Sequence, residues 1–212
     1  MKRYTKKAYV FAAILSLVLY SIGIITGIYI QKQSQNSVEA RLEQIQRSIE
    51  NTQLEYLYIN SLGEKISCDS FKILVDETTN NVWQIGDELV KLESESNNEK
   101  FVELKKEYSL LSIRAWILNN YFKNKCNSDD KVILYFYSIP CDQCIIQGKI
   151  LDDLRENELK GKLKVFVLDI NVEEPMVELV KKTYKINGTP SIVVENKTFY
   201  GLVEKNKILS SV

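Results

Sequence analysis

Ser138-Ile139-Pro140-Cys141-Asp142-Gln143-Cys144 follows the apolar run Lys131-Val132-Ile133-Leu134-Tyr135-Phe136-Tyr137 and precedes an amphipathic run that begins at Ile145. The apolar run has the length and the Val/Ile/Tyr/Phe content of a buried strand, and the run after Cys144 has helical spacing. Two thiols three residues apart, at a turn between a strand and a helix, are a redox or a metal signature.

The rest of the 212-residue composition narrows the choice. The sequence contains no histidine. That removes Cys–His and Ser–His–Asp catalysis as well as histidine metal sites. Four cysteines remain: Cys68, Cys126, Cys141 and Cys144. Four thiolates could bind zinc, but their spacing is far from two clustered pairs. Lys+Arg and Asp+Glu both number 28. A formal charge of zero argues against a strongly basic nucleic-acid binder. Lys2, Arg3, Lys6 and Lys7 carry four of the positive charges, leaving 24 basic against 28 acidic groups in the body.

Residues 8–30 carry no charge. As a helix they would extend about 35 Å, enough to cross a hydrocarbon core of roughly 30 Å. A cleaved signal peptide would have an apolar core of about 7–15 residues with a small-x-small site close behind. Here the core is longer, and Val38-Glu39-Ala40 lies well past Ile30. The reading is an uncleaved signal-anchor. The basic tail 1–7 stays in the cytoplasm, and the C-terminal body lies outside, on the extracytoplasmic side of the cell membrane.

Residues 31–37 form a polar joint, after which one apolar rhythm appears three times. The stripes are Val38, Leu42, Ile45, Ile49, Thr52, Tyr56, Ile59; then Phe71, Val75, Thr78, Val82, Ile85, Leu89, Leu92; then Phe101, Leu104, Tyr108, Leu111, Ala115, Leu118, Phe122. Alternating threes and fours describe helices packed along a seam. Breaks fall at residues 60–63 and 94–98, and such short connections favour antiparallel neighbours. Residues 31–126 are therefore expected to form a three-helix bundle or coiled-coil stalk, with the first helix able to pair with a second copy in a homodimer. In that topology Cys68 and Cys126 meet at one end. A disulfide between them is expected in an oxidising compartment, closing a loop for which the chain-entropy model gives on the order of 4 kcal/mol.

Beyond the hydrophilic residues 127–130 the pattern changes. The expected order is the strand 131–137, then a helix with Ile145, Ile146, Ile150, Leu151 and Leu154 on its apolar face, ending near Glu158. A second buried strand, 163–169, follows, then a helix opened by Glu173-Glu174-Pro175. A strand at 191–195, an Asn196-Lys197 turn, a strand at 198–203 and a tail at 204–212 complete it. This β-α-β-α-β-β order gives a mixed sheet in an α/β domain over 131–212.

In this context Cys141-Asp142-Gln143-Cys144 and Thr189-Pro190 resemble the thioredoxin-like superfamily over about residues 100–212. That family places its Cys-x-x-Cys at the N-terminus of the helix after the first core strand, with a cis proline facing it, the position that Pro190 matches. The resemblance departs at Ile139-Pro140, where the family has an aromatic, at Tyr135, where thioredoxin itself carries a buried acid, and in a short or missing final helix. The helix over 101–123 is available as the first helix of the fold.

The resemblance implies a thiol–disulfide oxidoreductase that needs no cofactor. Cys141 would be the nucleophile, its thiolate favoured by the helix N-terminus. Cys144 would be the resolving thiol that attacks the mixed disulfide. Thr189 and Pro190, with Pro140, Asp142 and Gln143, would contact an extended substrate segment by strand addition. Asp142 works against the thiolate. At about 6 Å and an effective dielectric of roughly 40 its charge costs about 1.4 kcal/mol, near one pK unit. This tilts the pair toward reductase or isomerase work and away from strong oxidation. The expected partners are cysteine-containing extracytoplasmic proteins, the membrane and a separate protein that recycles the pair. A non-catalytic binding module with a static Cys141–Cys144 disulfide is the alternative, because fold does not dictate function.

Overall fold

A computed structural model of the chain describes residues 6–62, 66–93 and 99–211, without side-chain detail for residues 6–8, 27–37, 55, 56, 60 and 62. The side chains of the basic tail, Tyr56 of the first stripe, Gly63 and the connection 94–98 lie outside the described residues. The chain divides into two compact units, Met1–Glu43 and Gln44–Val212.

The first helix, α1 (Lys6–Leu62), runs without interruption through the expected polar joint. Gln, Lys, Ser and Asn at 31–37 include no Gly or Pro, so nothing there stops a helix already under way. In the first unit, Tyr9–Thr26 is a window of mean hydropathy 2.2 with none of its residues buried. In the second unit, α1 buries Ile45, Ile49, Thr52 and Ile59.

Helices α2 (Cys68–Glu93) and α3 (Glu99–Cys126) follow. Ser67 caps α2, its hydroxyl accepting from the Ser70 N–H at 3.3 Å. All seven members of the second stripe and all seven of the third are buried. Phe71 meets Phe122 edge to face with ring centroids 5.3 Å apart, Asn119 Nδ2 donates to Thr79 Oγ1 at 2.8 Å, and Lys105 bonds Glu93. These pairs run in opposite order along the two helices, so α2 and α3 are antiparallel. Cys68 and Cys126 form a disulfide across their shared end, Cα–Cα 5.7 Å.

The sheet contains β1 (Lys131–Tyr137), β2 (Leu163–Asp169), β3 (Ser191–Val194) and β4 (Lys197–Tyr200) in the order β2-β1-β3-β4. β1 and β2 are parallel, with Tyr137 opposite Asp169; β3 is antiparallel to both β1 and β4. This is the mixed sheet read from the sequence. Between the strands lie α4 (Asp142–Asp153), which continues as a wider π-type turn over Leu154–Glu158, and α5 (Pro175–Thr183). Pro175 opens α5 at its first position. The tail carries a short helix, α6 (Lys205–Leu209), which buries Ile208.

Side chains alternate across the strands. Ile133, Tyr135, Leu163, Val165, Ile192 and Val194 pack with Cys144, Leu151 and Leu154 of the α4 segment and Ile208 of α6. The opposite face is covered by α3, which packs on β1, β2 and α5. Ser112 Oγ donates to Val167 O at 2.9 Å, Trp83 Nε1 on α2 donates to Val165 O at 2.7 Å, and Lys164 Nζ on β2 pairs with Asp76 on α2 at 2.9 Å. α2 and α3, expected as part of a stalk, thus pack on the sheet expected as a separate domain, within the single unit Gln44–Val212.

Three local expectations need correction. Ile145 and Ile146 point outward, 60% and 48% exposed, and Gln147 is fully buried in their place. Its amide meets the chain after β4: Gln147 Oε1 accepts from Val203 N at 2.7 Å and Nε2 donates to Val203 O at 3.3 Å. Those two bonds supply partners for buried backbone groups that an isoleucine would leave unpaired. The last two strands are shorter than read. Their turn is Glu195-Asn196, with Glu195 at φ +54°, and Gly201 at φ +70° ends β4.

Candidate active site

The site is assembled where β1 gives way to α4. Tyr137 ends β1, and Cys141 is the N-cap of α4, in extended conformation at φ −159°, ψ 99°. Its Sγ takes the place of a capping oxygen, accepting from the Cys144 N–H at 3.1 Å. Cys141 and Cys144 form a disulfide with Cα atoms 5.2 Å apart. Cys141 is partly exposed and Cys144 is buried. Attack from solvent is therefore open at Cys141 and hindered at Cys144. The helix N-terminus directs its amide dipoles at Cys141, an arrangement that favours negative charge on its sulfur.

Thr189-Pro190 has a cis peptide bond and lies beside the disulfide. Thr189 Oγ1 is 4.0 Å from Cys141 Sγ, and the same hydroxyl is 2.6 Å from Ser138 Oγ. Ser191 Oγ donates to Gly188 O at 2.7 Å and holds this loop. Residues 187–191, with Tyr200 and Gly201, line an open hollow of about 440 Å³ beside it. The Ile139-Pro140 peptide is also cis. Ile139, Pro140, Asp142 and Gln143 are all exposed around Cys141.

Tyr135 occupies the strand position of the expected acid. Burial pushes its phenol well above the ordinary tyrosine range, so it stays protonated. It donates to Cys144 O at 2.8 Å and thereby fixes the first turn of α4. A group so held is no proton acceptor at neutral pH. At the same end of the sheet, Lys105 on α3 sits between Glu93 and Asp169, 2.6 Å from Asp169 Oδ2 and 5.9 Å from the centre of the Tyr137 ring. Burial lowers the Lys105 pKa, but hydrogen bonds from Lys105 to Asp169 and Glu93 outweigh it and raise the pKa above the ordinary lysine value. Burial, with the charges of Glu93 and Asp169, pushes the Tyr137 phenol up as well.

The structure thus brings together Cys141, Cys144, Thr189 and Pro190, with Pro140, Asp142 and Gln143 at the rim. Cys68 and Cys126 stand before the start of β1, at the other end of the strand from Cys141. Ser138 joins the Cys141 group through Thr189, and its signal in the sequence is a hydroxyl three residues before the first cysteine, at a strand end.

Neither a scan of protein-family models nor a search of curated proteins gives a match. Solved structures similar to part of the chain include thioredoxin-2, a component of the malaria parasite protein secretion machinery, with 20% identity over 38% of this chain and 79% of that one, TM-score 0.32. Chloroplastic thioredoxin z has 20% identity over 43% and 83%, TM-score 0.34. The germline-specific thioredoxin Deadhead of Drosophila melanogaster has 21% identity over 44% and 89%, TM-score 0.31. The strand order β2-β1-β3-β4, the Cys-x-x-Cys capping α4 and the cis Thr189-Pro190 beside it give this part of the chain a thioredoxin-like fold.

Proposed function

We propose that the protein is a membrane-anchored thiol–disulfide oxidoreductase that acts on cysteine-containing proteins outside the cytoplasm. The observation that carries this reading is the Cys141–Cys144 disulfide at the N-terminus of α4, with its outer sulfur exposed beside the cis Thr189-Pro190 peptide. A substrate thiolate attacks Cys141 Sγ and expels Cys144 as the leaving thiolate, or in reverse the Cys141 thiolate attacks a substrate disulfide. In the second direction Cys144 then attacks Cys141 Sγ of the mixed disulfide and releases the reduced substrate. Two electrons pass between the pairs, and a separate dithiol or disulfide partner restores the starting state.

The anchor rests on the exposed apolar window Tyr9–Thr26, the orientation on the four positives before it. Asp142 at the first position of α4 and a sequence without histidine favour a reductase or isomerase. The expected reduction potential is nearer the roughly −270 mV of thioredoxin than the roughly −120 mV of a strong oxidant. The decisive assay is insulin disulfide reduction by the full chain in detergent, with dithiothreitol as electron source. We expect turnover that Cys141→Ser lowers at least 100-fold. Equal rates for the two would replace this reading by the second one, a binding module with a static disulfide. Tyr135 in place of a proton-accepting acid is the observation that favours that second reading.

A further inference from the structure

We propose that Ser138 is a positioning residue for the Cys141 thiolate, acting through the Thr189 hydroxyl as a two-step relay. The inference rests on the oxidoreductase reading only in taking Cys141 as the sulfur that becomes anionic.

The geometry sets the hydrogen count. Ser138 Oγ and Thr189 Oγ1 are 2.6 Å apart, and Thr189 Oγ1 is 4.0 Å from Cys141 Sγ. Each hydroxyl has one proton to give. If Thr189 donates to Ser138, it has nothing left for Cys141. If Thr189 donates to Cys141, Ser138 must be the donor in the 2.6 Å bond. The disulfide sulfur is a weak, neutral acceptor at long range and selects neither arrangement strongly. Two electrons from a dithiol change that. The S–S bond opens, each sulfur takes up one proton, and Cys141 then releases its proton to water. The resulting anion selects the arrangement Ser138→Thr189→Cys141, in which the first bond polarises the second.

The relay is partly buried, which limits competition from water, and both ends are fixed by elements of the fold. Ser138 directly follows β1, and Thr189 is held in the cis peptide loop that Ser191 braces. The other described polar contact on Cys141 Sγ is the Cys144 N–H at 3.1 Å. Among titratable groups around it, Asp142 is the exposed neighbour on α4 and opposes the anion. Tyr135 and Tyr137 on β1 stay neutral because burial raises their pKa. Lys105, Glu93 and Asp169 gather behind Tyr137 as an ion cluster. None of these changes when a serine hydroxyl is removed, so the effect of Ser138 is read against a constant field.

The test measures the pH dependence of Cys141 alkylation by iodoacetamide in the full chain, reduced with dithiothreitol in detergent, with the labelled peptide quantified by mass spectrometry. Thr189→Val raises the midpoint by about one to two pH units, the loss of a hydrogen bond to a charged group. Ser138→Ala raises it by about half a pH unit, the loss of the polarising bond. Ser138→Thr, which keeps the hydroxyl, restores the original midpoint. In the Thr189→Val background Ser138→Ala adds nothing, because the relay is already cut. An unchanged midpoint in Ser138→Ala overturns the proposal, and so does an equal rise in both backgrounds. A chain that reduces no insulin yet shows the Ser138-dependent midpoint removes the oxidoreductase reading and leaves the relay standing.

Discussion

The two disulfides of this protein have similar spans, with Cα–Cα distances of 5.7 and 5.2 Å, and opposite surroundings. Cys68–Cys126 joins residues 58 apart in sequence at the outer ends of two packed helices. Cys141–Cys144 joins residues three apart at the start of one helix, beside hydroxyls and helix amides. In the chain-entropy model the first contributes about 4 kcal/mol by constraining the unfolded chain, and the second less than half as much. A bond that constrains little in the unfolded state can be opened and closed without putting the fold at risk. Under the proposed function, the first pair serves stability and the second exchange.

The sharpest way to break that assignment is to remove the long-range bridge. Replacing both Cys68 and Cys126 by Ala should lower stability by about 4 kcal/mol in urea unfolding followed by tryptophan fluorescence, with insulin reduction per folded molecule unchanged. A loss of turnover in proportion to the loss of the bridge would tie the two pairs together. Next in size is Lys105→Met, which leaves the buried Asp169 and the partly buried Glu93 without their cation. We expect a loss of about 3 kcal/mol, which a Glu93→Gln background should reduce. Gly86→Ala follows. A methyl at Gly86 would lie 2.4 Å from Tyr108 Oη and 2.9 Å from Tyr108 Cζ, and that ring is buried. The expected cost is about 2 kcal/mol, and Tyr108→Phe in the same chain should recover part of it.

How much of this was legible in the sequence differs between the same two regions. The stripes from Phe71 to Leu92 and from Phe101 to Phe122 told which faces are buried, because a heptad-like rhythm survives any tertiary arrangement. They did not tell what lies behind α3. Its second buried face runs through Ser109 and Ser112, with Ile113 beside them, and one isoleucine among small polar residues leaves no apolar period to read. At the site, Cys141, Cys144 and Thr189-Pro190 stood out because their residue types are tied to particular chemistry and backbone geometry. Gln147 did not. Its burial depends on two bonds to Val203, 56 residues away, which no local pattern reports. Ile145 and Ile146 misled for the complementary reason, since apolar residues can remain on a surface.

The smallest effect concerns acid. Burial works to raise the Asp76 carboxyl pKa, but hydrogen bonds from Lys72 and Lys164 outweigh it and hold the pKa below the ordinary value. A carboxyl lowered in the folded state adds stability above its unfolded pKa and loses it as pH falls through the folded value. Asp76→Asn should therefore cost about 1 kcal/mol at pH 7, since Asp76 and Lys72 are solvent-screened while Lys164, the second partner, is buried, with the difference from the unchanged chain vanishing as pH falls below the ordinary carboxyl range. A cost that persists in acid would mean that Asp76 acts through packing.

The contacts of Trp83 and Ser112 with β2 bear on how the protein can be divided. β2 is the outermost strand on its side of the sheet, and its Val165 and Val167 carbonyls find their partners on α2 and α3. A fragment begun at the hydrophilic residues 127–130, where composition suggests a boundary, would carry that edge bare. Unpaired strand edges recruit strands from other molecules. The two helices are in this sense the hem of the sheet, and a fragment that carries the Cys141–Cys144 pair has to begin upstream of Ser67 to keep it sewn.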